Sequence, residues 1–206
     1  MTTSCPVCGF DPNPPEVRLS DAELAKQRLR NIFMSHAQQS WWLSQADYIC
    51  GWLKDLGFNP STILDLGCGD GRFVPAISST FPGAKYTGID RLDDHIVVNT
   101  ERMPDIEWVC GEFADMPAGE RYDMVLIMGT LNPLMDEARQ EAMLRRLVAM
   151  GPKTVVCQFD RKSTGVPPDR WLAEQYDKTN AEDLPREFQS PRQDNALWVY
   201  GARIPT

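Results

Sequence analysis

The chain changes rhythm near residue 61. Before that point apolar positions recur every three or four residues; after it, short apolar runs alternate with helical stretches. Residues 1–18 have neither period: Cys5-Pro-Val-Cys8-Gly9 and then Pro12, Pro14 and Pro15 read as a flexible tail. Ser20 and Glu23 then form a capping box, with Leu19 and Leu24 spaced as a hydrophobic staple. Ala25, Leu29, Ile32, Phe33 and His36 follow at helical spacing. A second helix carries Trp42, Ala46, Ile49, Leu53 and Leu56 on one stripe and stops at Gly57.

Beyond residue 61 the pattern predicts strands at 62–66, 85–89, 106–110, 122–128 and 154–159. Helices are predicted at 72–80, 93–102 and 136–150, the last ended by Gly151-Pro152. Such βαβαβ alternation with short connections implies a parallel sheet covered by helices on both faces. The end of the chain is less regular: a helix is expected over 168–178 and strands over 186–190 and 196–204. The expected architecture is an α/β, Rossmann-like, doubly wound fold with a mainly parallel seven-stranded sheet. Residues 19–57 would form an N-terminal helical lid on a 58–206 catalytic domain.

The 206 residues carry a formal net charge of −8. A net-acidic chain without a Lys/Arg run lacks the footprint of a phosphate-backbone binder, so nucleic acid is not expected as a partner. No apolar stretch is long enough to span a membrane, and the N-terminus has no charged segment followed by an apolar block. Cys68, Cys110 and Cys157 fall in or beside predicted strands, as buried thiols of a reducing, cytoplasmic protein would. Cys5-x-x-Cys8 is half of a zinc knuckle with no second pair to complete it, so no metal site is expected. A monomer or homodimer is expected.

The sharpest chemical signal is Ile63-Leu64-Asp65-Leu66-Gly67-Cys68-Gly69-Asp70-Gly71, where the first strand must turn into a helix. Glycines let such a loop turn tightly and approach a ligand closely, at the carboxyl end of the sheet where α/β folds bind ligands. A dinucleotide fingerprint would need a third glycine at 72, where Arg72 stands. Asp65 and Asp70 also make a poor host for pyrophosphate and a better one for a cation. S-adenosylmethionine (SAM), with an ammonium, a sulfonium and no phosphate, meets that condition. Asp90 ends the next strand about twenty residues on, where a carboxylate can accept bonds from ribose hydroxyls. Its other reading is a cap on the following turn.

These residues resemble the class I SAM-dependent methyltransferases. Ile63–Gly71 is similar to the family's glycine-rich motif, and Asp90 to its acidic ribose position. Val109–Pro117 is similar to the loop that holds adenine, with Glu112 where the family usually has Asp and Phe113 beside it. Tyr122–Leu131 is similar to its fourth motif. The resemblance covers roughly residues 40–160. It implies a SAM site made of Asp65, Gly67, Cys68, Gly69, Asp90, Arg91, Glu112, Phe113 and Met128.

Candidates for chemistry are fewer. Asn132, before Pro133, can orient a nucleophile by a hydrogen bond or serve as a turn residue. His36 continues an apolar stripe and reads as a packed histidine or as a base facing the SAM pocket; His95 is expected to be exposed. On the aromatic second helix, Trp42 is expected to pack on the sheet. Trp41 and Tyr48 are expected to point inward, where aromatic faces attract a sulfonium by about 0.5–2 kcal/mol. The catalytic candidates are thus Asn132, His36 and Tyr48, with Trp41 and Asn132 lining the substrate or sulfonium pocket.

Methyl transfer from a sulfonium is an in-line displacement that mainly needs positioning and a dry pocket. The leading expectation is a methyltransferase acting on a small molecule, in secondary metabolism. A second is a cyclase for which SAM alone is the substrate, giving azetidine-2-carboxylate and methylthioadenosine. A third is a non-catalytic SAM-binding partner subunit.

Overall fold

The computed structural model describes residues 36–113, 121–129, 137–160, 172–173, 176–188 and 195–202. The tail, the capping box at Ser20, Cys5, Cys8 and Asn132 lie outside the described residues. Helix α1 (His36–Asp55) leads into β1 (Thr62–Leu66), α2 (Phe73–Thr80), β2 (Lys85–Asp90), α3 (Asp93–Arg102) and β3 (Glu107–Cys110). Then come β4 (Met124–Met128), α4 (Glu137–Met150), β5 (Thr154–Asp160), β6 (Tyr176–Asp183), a short 3-10 turn at Arg186–Phe188 and β7 (Asn195–Ala202).

The strands form one seven-stranded sheet in the order β3-β2-β1-β4-β5-β7-β6. The first five pair in parallel; β7 is antiparallel to both β5 and β6. Because β1 pairs with β2 on one side and β4 on the other, the chain reverses its direction of winding between β1 and β4. That switch point opens a crevice at the carboxyl ends of the strands.

Alternation along each strand builds two cores. Ile63, Leu126, Val156, Leu197 and Val199 face α1 and α2, where Ala46, Ile49, Leu53, Phe73 and Ile77 cover them. Leu64, Leu66, Val125, Ile127 and Val155 face the other way, onto Met143, Leu144 and Leu147 of α4. Side chains such as Ile63, Leu126 and Leu147 are at most 1% exposed, and each contributes roughly 1.5–3 kcal/mol by leaving water.

Several boundaries depart from the sequence reading. His36 is the first described residue of α1, and Leu56 lies past the helix's end, 39% exposed. Gly57 ends the helix as expected: at φ 86° it brings Phe58 N–H to the Leu53 carbonyl at 3.1 Å. Residues 176–178 belong to β6, not to a helix, and 186–188 form a 3-10 turn, not a strand. Strand β6 (Tyr-Asp-Lys-Thr-Asn-Ala-Glu-Asp) escaped the pattern because it is the sheet edge, mostly solvated and carrying charge. Cys50, Cys68 and Cys157 are buried free thiols, but Cys110 is only partly buried and is disulfide-bonded. No described helix is long and apolar enough to cross a membrane.

Candidate functional site

The loop after β1 runs along the crevice, and its three glycines all take left-handed backbone: Gly67 at φ 74°, Gly69 at 54° and Gly71 at 71°. A side chain at Gly69 would meet nothing within 4 Å, so the loop faces open space there, and the same is true at Gly111. Gly88 works differently. A Cβ there would stand 2.6 Å from Trp108 Cε3, so its bareness is what lets the indole lie on β2. Trp108 is fixed in turn by its Nε1–H to the Met103 carbonyl at 3.1 Å.

The loop's own N–H groups do not form an anion cradle. Gly67 and Cys68 both donate to the Ile89 carbonyl, at 2.8 and 3.0 Å, and Gly71 donates to the Cys68 carbonyl at 3.0 Å. Gly69 N–H donates to Asp90 Oδ2 at 2.9 Å. Four amides are therefore committed inside the protein, and a phosphate would find few left to bind. Cys68 is 4% exposed, so its side chain packs beneath the loop and gives a ligand no surface.

Asp90 is the junction of the site. Its second oxygen, Oδ1, accepts Leu92 N–H at 2.9 Å. It therefore caps the turn into α3, one of the two sequence readings. Burial works against its charge, but His95, Leu92 N–H and Gly69 N–H together outweigh that and hold the carboxyl below its ordinary range. His95 Nδ1 stands 3.7 Å from Oδ2, an ion-pair distance rather than a hydrogen bond. Burial alone would lower the imidazole, but the Asp90 carboxylate raises it. The expectation that His95 is exposed fails: its side chain is 22% accessible because the first turn of α3 folds back on Asp90.

Asn99, which the sequence reading did not single out, is fully buried and donates from Nδ2 to the Gly69 carbonyl at 2.7 Å. Thus α3 and β2 clamp Gly69 from both its amide ends. The only sequence signal was an Asn inside a helix on the buried stripe with Ile96, which is a weak one without the loop beside it.

Asp65 lies on the same strand as the loop but under it, 2% exposed, and its Oδ2 accepts the Tyr86 hydroxyl at 2.6 Å. Burial lifts its pKa to about 7 against the lowering effect of Tyr86, with Asp90 adding to the rise. Asp70 is paired to Arg72 at 2.8 Å. Asp90 and Glu112 bring carboxylates to this end of the sheet, with Arg91 and His95 as the bases beside them. Glu112 is half-buried, Phe113 is buried, and Arg91 and Met128 sit half-buried at or just beyond the ends of β2 and β4.

The aromatic helix is placed differently from expectation. Trp42 is not packed on the sheet; it lies under the Arg72 guanidinium, 4.6 Å from ring centre to Cζ, next to the glycine loop. Trp41 donates from Nε1 to the Glu187 carbonyl and Tyr48 donates its hydroxyl to Glu182. Both rings meet Phe188, at 6.1 and 5.6 Å. They turn toward β6 and the 3-10 turn, not toward the loop. Burial and the Glu182 carboxylate push the Tyr48 hydroxyl up to about 12, so it remains a donor and is no base at neutral pH. His36 belongs to α1, but its side chain lies outside the described residues.

Known proteins share this fold. Residues 63–151 match a methyltransferase domain model. The chain is 29% identical over 80 residues to a malonyl-[acyl-carrier protein] O-methyltransferase of Anoxybacillus flavithermus, covering 38% of this chain and 31% of that protein. It is 27% identical over 92 residues to a trans-aconitate 2-methyltransferase of Acidovorax sp., covering 45% of this chain and 36% of that protein. The matched stretch is thus about a third of the length of these curated relatives. Among solved structures, the N-methyltransferase NodS of Bradyrhizobium japonicum superposes with a TM-score of 0.61 at 17% identity, over 89% of this chain and 99% of that one. Magnesium protoporphyrin IX methyltransferase of Synechocystis, solved with SAM bound, gives 0.66 at 14% identity, over 90% and 99%.

Proposed function

We propose that this chain belongs to the class I SAM-dependent methyltransferases, binds SAM in the crevice beside Gly67–Gly71 and methylates a small molecule. The observation that carries the reading is the fate of the loop amides: they bind Ile89, Cys68 and Asp90. A loop of this kind gives a ligand open space and nearby carboxylates rather than a nest for phosphate. It therefore favours a cationic nucleoside over a dinucleotide.

The described residues suit that group. Asp90 holds its carboxylate ionised at the end of β2, the position from which ribose hydroxyls can be bound. Glu112 follows β3, where an adenine's amine would lie against an acid, and Phe113 beside it anchors the chain in the core. When bound, SAM supplies an electrophilic methyl on a sulfonium. The protein's own work is then to orient donor and acceptor and to keep water out, which can be worth about 7–11 kcal/mol of barrier. Met128 ends β4 beside the switch point, on the face covered by α1, and marks where the reacting atoms would meet.

The test is product analysis. Protein incubated with SAM and a panel of small amines, alcohols and acids should release S-adenosylhomocysteine only when an acceptor is present. Release of methylthioadenosine from SAM alone would replace methyl transfer by cyclisation.

A further inference from the structure

We propose that His95 is a positioning residue for the carboxylate that would hold the ribose: once protonated, its imidazole closes on Asp90 Oδ2 and takes the place a ribose hydroxyl needs. Cofactor binding then weakens in acid. This rests on the reading that Asp90 faces the sugar of SAM, and it adds the group that decides when Asp90 is free to do so.

The acceptor positions of Asp90 can be counted. A carboxylate has about four, two on each oxygen. Leu92 N–H takes one on Oδ1 and Gly69 N–H takes one on Oδ2, each at 2.9 Å. One position per oxygen remains, which matches the two hydroxyls of a ribose cis-diol. A third donor from the protein would leave the diol with half of its anchor.

His95 stands beside that remaining place. It lies in the first turn of α3, the turn that Asp90 caps. Its Nδ1 is 3.7 Å from Oδ2 and is buried without a hydrogen-bond partner. A charged N–H···O⁻ bond is about 2.7–2.9 Å long, so a shift of about 1 Å completes it. With a lone pair on Nδ1 the ring is repelled by the carboxylate; as an imidazolium it is drawn in. Solvent does not reach Nδ1, so a ligand in the crevice does not meet it either. His95 therefore acts through Asp90, and the 22% of its side chain that is accessible is where the proton enters.

The charges around the ring favour the proton. Burial opposes it, but Asp90 from β2 and Asp70 from the glycine loop raise the imidazole, with Arg72 of the same loop acting against them. On its own segment Arg91, Asp93 and Asp94 precede it. Asp90 stays ionised throughout, held below its ordinary range. The pair thus changes by one proton, on His95. Asp65, buried under the loop, also titrates near neutrality, at about 7, and so needs its own control.

The probe is 5′-methylthioadenosine, which carries ribose and adenine without the amine and carboxylate of the amino acid. It is titrated calorimetrically into the full chain at about pH 8.5 and about pH 5.5, on either side of the ordinary histidine range. S-adenosylhomocysteine is titrated beside it. Wild type should bind the probe at least tenfold more weakly in acid. His95→Phe, which keeps a ring and removes the proton, should bind equally at both pH values and match the wild type at the higher one. Asp65→Asn should keep the tenfold difference. Binding is reciprocal with protonation, so the NMR titration of the His95 ring should move to lower pH when the probe saturates the protein. The chain has two histidines, and His36 serves as the internal reference. An affinity independent of pH in the wild type, the same dependence in His95→Phe, or a His95 titration that the probe leaves unmoved overturns the proposal. If S-adenosylhomocysteine gives no heat at either pH, the SAM reading fails and takes this proposal with it. If it binds while His95→Phe keeps the pH dependence, the SAM reading stands and the role of His95 falls.

Discussion

Gly69 N–H donates to the Asp90 carboxylate across 2.9 Å, joining the loop after β1 to the end of β2. The bond sets where the loop lies and which atoms it leaves for a ligand. Gly69 itself has φ 54° and open space where a side chain would be. Gly69→Ala should cost about 1–2 kcal/mol for left-handed backbone and put a methyl into the ligand space. Expected are a lower Tm and an S-adenosylhomocysteine affinity reduced at least tenfold; an unchanged affinity would place the ligand elsewhere.

Asn99 holds the other side of that residue through the Gly69 carbonyl, at 2.7 Å. Asn99→Ala leaves a buried carbonyl unpaired and opens a small void, a loss of about 1–3 kcal/mol in stability. Urea denaturation should register the loss. Calorimetry should record a smaller fall in cofactor affinity than at Asp90, since Asn99 braces the loop without facing the ligand.

Asp65 gives a pH signature. Its pKa rises from 3.8 in the unfolded chain to about 7 when folded. A group raised in this way favours the fold fully below pH 4, and that contribution disappears as pH climbs through 7. Asp65→Asn keeps an oxygen for the Tyr86 hydroxyl and removes the titration. The variant should therefore gain stability relative to the wild type as pH rises from 5 to 8, by about 3 kcal/mol over that range. Parallel Tm curves for the two proteins across that range would refute the assignment.

Gly88 tests the packing behind the site. Gly88→Ala forces its methyl into Trp108, and overpacking of a rigid ring costs about 1–3 kcal/mol. Trp108→Leu in the same chain should recover part of that loss. A fully stable Gly88→Ala variant would mean the indole does not lie where it stands on β2.

The parallel half of the fold was legible because β1, β4 and β5 are buried on both faces, which leaves apolar runs such as Met124–Met128 that no solvent face interrupts. The glycine loop and Asp90 were legible because left-handed backbone and a strand-end acid are written in residue type. What was hidden depends on contacts far apart in sequence. Asn99 meets Gly69 thirty positions away, and Tyr48 meets Glu182 at a separation of 134. Strand β6 carries its alternation on a solvated edge whose residues also suit a helix or loop, and His95 looked free because nothing local announced Asp90 behind it. Trp42 was expected on the sheet because helical period gives a stripe but not its partner; its partner is Arg72 of the loop.

The central claim is that a cationic nucleoside sits across the ends of β1 and β2 with its sugar on Asp90. Titrating the purified chain with S-adenosylhomocysteine, beside Asp90→Asn, measures it most directly, because the amide keeps an oxygen for one backbone donor but loses the charge. Loss of a charged hydrogen bond is worth about 1.5–3 kcal/mol, so the variant should bind roughly ten- to a hundredfold more weakly while remaining folded. Equal affinities, or no heat from the wild type, would contradict the account.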